Sequence, residues 1–350
     1  MLFLFVFATM CMSSSDIIGI CRENVPGWMG GAVLTVRPML EGLSNQLYRV
    51  DDASYTVLFR IYGEHVSRFY SQTTELEVFE SMSEFGMGPK LIAQGLGWRI
   101  EEFYRDHAVL RVANLVDPVV YLQVARLLGK LHTLPVSESI RSHSPVSIFR
   151  LDLWTEAARD ALTRQASTFE IPQEVLNGVT DMLGCLNSRV EDEDQDLGYQ
   201  VVFSHNDLQE NNLLSLRDLT DIRMIDFEYA DMNFQAADIG NFFSEFTIDY
   251  IVSDPPGFTH SEDEFPSISV QIAFITEYLH VYLKRAPTQA DIQQLAASVA
   301  TFRQLSHLLW GMWAIVRSEQ KAETSFDFLA YAKSRFDAFI ANAQNGHVVV

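Results

Sequence analysis

Three side chains in the middle of the chain, Asp207, Asn212 and Asp226, have the types and spacing that phosphoryl transfer asks for. They lie in Val201-Val202-Phe203-Ser204-His205-Asn206-Asp207-Leu208-Gln209-Glu210-Asn211-Asn212-Leu213-Leu214 and in Met224-Ile225-Asp226-Phe227. An apolar strand delivers a polar loop, and a second apolar strand follows and ends in a carboxylate. The transition state of phosphoryl transfer is handled by positioning and charge neutralisation, so few groups are needed. One carboxylate must stand near the acceptor hydroxyl, and hard oxygen ligands must hold Mg²⁺ against the phosphates. Asp207 suits the first task and Asn212 with Asp226 the second, Asp207 and Asn212 falling at H-x-D-x-x-x-x-N spacing. Singly, each residue has a plainer role: His205 orders its loop through backbone hydrogen bonds, and Asp207 or Asp226 caps a turn. Their joint occurrence in short loops between apolar strands favours catalysis.

The elements that must position these residues follow from hydrophobic periodicity. Short apolar or alternating runs at Ala32–Met39, Gln46–Val50, Thr56–Ile61 and Arg99–Phe103 predict an antiparallel sheet. One helical pattern, Thr73–Phe85, interrupts it and stops at Gly86, Gly88 and Pro89. Beyond Phe103 the chain turns to amphipathic helices: Pro118–His132, Trp154–Ala166, Pro172–Leu186, Ile268–Leu283 and Ile292–Arg317. The expected fold is α+β and two-lobed. It divides into an apolar lead-in (1–30), a small lobe with an antiparallel sheet (31–105), a larger mainly helical lobe (106–343) and a tail (344–350). The acidic stretch Glu191–Asp196 and the turn-rich stretch Asp254–Pro266 read as surface insertions without a site.

Composition limits the partners. The 46 acidic and 25 basic residues give a net charge of −21 over 350 residues. That argues against nucleic acid and anionic lipid as partners and favours a cationic small molecule. Nearly half the residues are apolar, so a large core can form. The three cysteines, Cys11, Cys21 and Cys185, show neither metal-ligand spacing nor a disulfide framework, which points to a reducing, cytoplasmic setting. The apolar opening run Leu2–Met12 lacks a preceding basic residue and is too short to span a bilayer, so no stable membrane insertion is expected.

The segments His205–Asn212, Ile225-Asp226-Phe227-Glu228-Tyr229 and Asp238-Ile239-Gly240-Asn241-Phe242-Phe243-Ser244-Glu245 resemble the successive signatures of the choline/ethanolamine kinases. Those enzymes are relatives of the protein-kinase and aminoglycoside-phosphotransferase fold. The likeness runs from about Gly42 to Phe339. It implies a bilobal, protein-kinase-like fold that uses ATP and Mg²⁺, with Asp207 as catalytic base, Asn212 and Asp226 as metal ligands and Gln209 beside the metal and the acceptor. Ser44 and Asn45, in Gly42-Leu43-Ser44-Asn45, resemble the nucleotide-flap turn, and Arg60 stands where protein kinases carry a phosphate-binding Lys. Glu75 matches the acid that pairs with that Arg, with Glu77 the alternative, and the backbone of Glu102 and Phe103 resembles the adenine-reading hinge.

The same resemblance matches Trp310, Trp313, Tyr331 and Tyr250 to an aromatic cage around the substrate's ammonium, with Glu245 as its carboxylate and Tyr229 on the same wall. Aromatics at helical spacing are otherwise core. The implied activity is phosphorylation of choline, the first step of phosphatidylcholine synthesis by the Kennedy pathway. Ethanolamine or dual activity is the alternative, since Phe326–Lys333 reads more like the ethanolamine branch. Phe246 and Phe328 depart from the choline-kinase pattern, which expects an indole and an aromatic hydroxyl there. More distant alternatives are an aminoglycoside-type phosphotransferase and an inactive kinase-fold binding protein. Dimers are common in the family, so a homodimer is in keeping with it.

Overall fold

The computed structural model describes residues 12–29, 33–39, 45–62, 72–190, 196–319 and 326–344. The chain forms two compact units: the residues up to Ala108 together with Arg223–Tyr229, and Val109–Ile222 together with Ala230 onward. Asp226 therefore belongs to the first unit, while Asp207 and Asn212 belong to the second.

The first unit is built on a five-stranded antiparallel sheet in the order β1-β2-β3-β5-β4, with β1 Thr35–Met39, β2 Asn45–Asp51, β3 Thr56–Tyr62, β4 Leu91–Gly95 and β5 Trp98–Glu102. Alternation along β3 sends Val57, Phe59 and Ile61 to one face and Leu58 and Arg60 to the other. The first face packs on helix α1, Ser14–Asn24, which buries Ile17 and Cys21 together with Val25 and Trp28. The lead-in thus contributes core to this unit. Its start is fixed by a capping box in which Ser13 and Asp16 bond each other's backbone N–H. Helix α2, Gln72–Glu84, ends at Gly86, whose φ of +65° is the left-handed turn that glycine takes without cost.

The second unit is mainly helical. Its centre is the 29-residue helix Gln289–Arg317, about 43 Å long at 1.5 Å per residue. Packed on it are the helices Val146–Arg164, Gln235–Glu245 and Phe328–Gln344. The first of these begins eight residues before the Trp154 start that periodicity predicts, because its buried face includes Ser147 and Arg150 and so does not read as apolar. A short antiparallel ladder pairs Val201–Ser204 with Asp231–Phe234 and delivers the Asp207 loop. The stretch Asp254–Pro266 is not a loose insertion: Phe258 is buried against Tyr331, and Glu262 pairs with Arg303. No helix among the described residues is long and apolar enough to cross a membrane.

The helix Gln235–Glu245 crosses the long central helix at Gly240, where a Cβ would stand 2.7 Å from the backbone of Phe302 and Arg303. Backbone cannot swing aside as a flexible side chain can. Gly240→Ala should therefore separate the two helices and cost about 1–3 kcal/mol, read as a fall in melting temperature; an unchanged melting temperature would contradict so close an approach.

Candidate active site

In the second unit the Asp207 loop hangs from one buried carboxylate, Asp238. Its Oδ2 accepts the His205 N–H at 2.7 Å and its Oδ1 the Asn206 N–H at 2.7 Å, and His132 Nε2 lies 3.1 Å from Oδ2. Burial opposes the charge of Asp238, but the bonds and positive potential from His132 and His205 outweigh it and carry its pKa below the ordinary range. Asn206 has φ +63°, a left-handed conformation uncommon outside glycine. It is held there because its side chain accepts from Asn233 Nδ2 at 2.7 Å and donates to the Asp231 carbonyl at 3.2 Å. His205, wholly buried, gives the loop its N–H anchor.

This frame brings Asp207 and Asn212 together. Asn212 Nδ2 donates to Asp207 Oδ2 at 2.9 Å and to the Asp207 carbonyl at 2.8 Å, and Gln209 Nε2 stands 3.5 Å from both Asp207 oxygens. Asn241 then ties the loop to the central helix. It donates to the Leu208 carbonyl at 3.2 Å, while its Oδ1 accepts from Ser306 Oγ at 2.8 Å and Trp310 Nε1 at 2.7 Å. Trp310 is only 9% exposed and, with Arg150, Asn206, Asn233 and Ser306, lines a cavity of about 30 Å³.

The aromatic residues expected to form a cage make one continuous run. Trp310 meets Trp313 at 5.4 Å between ring centres, Trp313 meets Phe328 at 5.9 Å, Phe328 meets Phe326 at 4.9 Å, and Phe326 meets Tyr331 at 5.4 Å and Tyr250 at 6.3 Å. Phe326 is the connecting ring. Tyr250 OH bonds Glu245 Oε2 at 2.8 Å, and the two tyrosine hydroxyls are 2.8 Å apart. Tyr229 is buried within the first unit.

Also in the first unit, Arg60 and Arg99 lie directly opposite each other on β3 and β5. Both Nε atoms bond the same Glu101 oxygen, at 2.7 and 2.8 Å. Glu75 pairs with Arg99 at 2.5 Å, so the acid expected for Arg60 serves its neighbour instead. The cause is the register: Glu101, two residues along β5 from Arg99, reaches Arg60 diagonally across the strand pair and leaves Arg99 to the helix above. Arg60 Nη1 also lies 3.6 Å from Asp226 Oδ1, a buried atom without a hydrogen-bond partner among the described residues. Asp226 too has a left-handed φ, +62°. Asn45 Nδ2 reaches Glu228 at 3.4 Å. The Glu102 N–H is already given to the Lys90 carbonyl at 2.9 Å, so it is not open to a base, and Phe103 lies under the Arg49 guanidinium. Gly42, Leu43 and Ser44 of the expected flap turn lie outside the described residues.

Residues 36–340 match the family model described as choline/ethanolamine kinase. The chain belongs to the choline/ethanolamine kinase family. A protein of Arabidopsis thaliana named Probable choline kinase 2 is 31% identical over 312 residues, 87% of this chain and 85% of its own. Ethanolamine kinase 2 of Rattus norvegicus is 28% identical over 329 residues, covering 91% and 78%. The crystal structure of a choline kinase from Cryptosporidium parvum superposes with a TM-score of 0.85 at 31% identity, over 95% of this chain and 96% of that one. The fold of this kinase is accordingly α+β and protein-kinase-like.

Sequence reasoning did not single out Asp238 and Asn241 as supports of the loop, nor Arg99, Glu101, Phe326 and Arg335 as site neighbours. The spacing of Asp238, Asn241 and Glu245 at i, i+3 and i+7 carried a usable signal, since polar residues recurring on one face of a helix that also bears Ile239, Phe242 and Phe243 need partners. Glu210 is a further case. It is wholly buried, its Oε2 has no hydrogen-bond partner among the described residues, and burial followed by the nearby Glu245 charge pushes its pKa up to about 9. From about pH 4.5, the ordinary value for such a group, the unfolded chain releases a proton that the folded protein keeps until about 9, so this group takes stability away as pH rises through that window. Glu210→Gln should leave stability unchanged near pH 4 and raise it by about 1 kcal/mol or more at pH 8. Thermal unfolding across pH in metal-free buffer checks this, and a pH-independent difference would refute it.

Proposed function

We propose that this family member is a choline kinase that transfers the γ-phosphoryl group of ATP to the choline hydroxyl with Mg²⁺, ethanolamine being a second acceptor. The observation that carries the reading is the buried Glu245 carboxylate joined to Tyr250 and Tyr331, in the same unit as the Asp207 loop and continuous with the aromatic run to Trp313. A quaternary ammonium has no N–H to donate, so ring faces and a carboxylate are what hold it. Relatives of both names support ethanolamine as the alternative acceptor.

In this reading Asp207 accepts the proton of the acceptor hydroxyl, and the amide N–H groups of Asn212 and Gln209 keep its carboxylate turned toward that proton. Asn212 spends its N–H on Asp207, so its amide oxygen is the atom that suits a hard cation. In the first unit, Asp226 Oδ1, which has no hydrogen-bond partner among the described residues, is likewise a hard oxygen of the kind Mg²⁺ takes beside its water and phosphate ligands. When bound, Mg²⁺ neutralises charge on the transferring phosphoryl group. Arg60, oriented by Glu101, supplies guanidinium N–H groups to phosphate oxygens. The setting is the cytoplasm, where Cys21 and Cys185 remain free thiols.

Purified protein with ATP and Mg²⁺, assayed in parallel against choline, ethanolamine and an aminoglycoside, tests the reading; turnover of the aminoglycoside alone would end it. Asp207→Ala should abolish turnover with ATP affinity kept within about a few-fold, and retention of more than roughly a tenth of kcat would remove Asp207 from the role of base. Trp313→Ala should raise KM for choline by about tenfold or more, since a dry cation–π face supplies roughly 1–2 kcal/mol, and leave KM for ATP unmoved. A folded Trp313→Ala protein with normal choline KM would take the indole out of the acceptor site.

A further inference from the structure

Four polar side chains of the second unit, Glu245, Tyr331 and Arg335 buried and Tyr250 half-buried, close into a ring. Arg335 Nη2 bonds Glu245 Oε1, Arg335 Nε bonds Tyr331 OH at 3.0 Å, Tyr331 OH meets Tyr250 OH at 2.8 Å, and Tyr250 OH bonds Glu245 Oε2 at 2.8 Å. Tyr331 and Arg335 lie one turn apart on the helix Phe328–Gln344, and Arg335 has no exposed surface.

Chemistry fixes the direction of every hydrogen in this ring. A guanidinium only donates and a carboxylate only accepts. Tyr331, which takes the Arg335 Nε–H, must pass its own O–H to Tyr250, and Tyr250 must pass its O–H to Glu245. Each hydroxyl then donates once and accepts once, and both carboxylate oxygens are engaged. On the remaining side of Arg335, Nη1 is 3.5 Å from His307 Nδ1. Burial, then the charges of Arg335 and Arg303, holds His307 well below its usual pKa and therefore neutral and able to accept.

We infer that Arg335 is a positioning residue of the acceptor site that sets the preference among ammonium alcohols, because its two donors start both arms of the ring that orients Glu245, Tyr250 and Tyr331. The inference rests on the reading of the protein as a kinase of such alcohols. With both O–H hydrogens spent inside the ring and the Glu245 charge balanced by Arg335, the ring offers an ammonium mainly aromatic surface and a carboxylate whose acceptor strength is already drawn on by two donors. A methylated ammonium loses nothing by that. A primary ammonium must give up its hydrogen bonds to water for acceptors already shared with Arg335 and Tyr250, which costs affinity.

Two variants test this. Tyr331→Phe keeps the aromatic face and the Arg335–Glu245 pair but deletes the oxygen that links the arms. It should raise KM for choline by about fivefold, leave KM for ATP within about twofold, and shift the choline-to-ethanolamine ratio of kcat/KM toward ethanolamine by about fivefold. Arg335→Lys can reach Glu245 but cannot serve Tyr331 as well, and should shift the same ratio in the same direction with a rise in choline KM of about tenfold. A folded Tyr331→Phe protein with unchanged choline KM and ratio overturns the inference. So does a parallel rise in both KM values with a lower melting temperature, which is the mark of a merely structural role. If Arg335→Lys does not fold, Tyr331→Phe decides alone. Wild-type protein in the same assay separates the two levels: turnover of neither alcohol removes the functional reading and this inference with it, whereas an active wild type with unresponsive variants removes only the role of Arg335.

Discussion

The Asp238 carboxylate is the fixed point of the second unit. It is fully buried, where an unpaired charge would be prohibitive, and it is held there by two backbone N–H groups and an imidazole. Those two N–H groups belong to the turn that leads into Asp207, so the cost of burying the charge is offset by bonds whose other end is the loop itself. The same helix then serves two further stations on one face. Asn241 fixes the far side of the loop and the Trp310 indole, and Glu245 enters the tyrosine–arginine ring. One rigid helix thus spaces three polar anchors, and Gly240 lets that helix lie against the long central helix from which Ser306 and Trp310 reach back to it.

The first unit solves a similar problem with a neutral quartet. Arg60, Arg99, Glu75 and Glu101 are all nearly buried, two positive and two negative. Burial opposes the charge of Glu101, yet the two guanidinium groups hold its pKa below the ordinary range. Such clusters contribute little net stability, because desolvation consumes most of the attraction. Their effect here is placement. Glu101 engages the Nε of Arg60 and leaves Nη1 facing Asp226, and Arg99 is sandwiched between the Phe79 ring and two carboxylates.

How much of this could be read from the sequence depended on how local each interaction is. Asp207 and Asn212 were legible because their spacing lies within one loop and their contact is made within it. The partner of Arg60 was not, because Arg60 and Arg99 face each other across a register that only the folded sheet reveals. Helix α1 escaped notice although its Ser13–Asp16 capping box is written in the sequence, since the apolar run before it dominates the reading. Arg335 looks like any solvated arginine until Glu245, ninety positions earlier, is folded against it. The cage aromatics were legible as residue types, but Trp310 is as much a wall of the interior as a candidate ligand surface, and helical spacing cannot tell the two apart.

The return of Arg223–Tyr229 to the first unit has a consequence for the growing chain. Phe227 packs so closely over Gly88 that a Cβ there would lie 3.1 Å from its ring, and that ring is encoded far downstream of the sheet and helix it covers. A nascent chain emerging from the ribosome carries the sheet, α1 and α2 long before it carries their last packing partner, with an interval on the order of ten seconds at roughly 5–20 residues per second. During that interval the apolar surface beside Met82 and Gly88 stays bare. The smaller unit thus cannot finish folding as an independent early product, and a fragment cut after Ala108 would lack both that ring and Asp226.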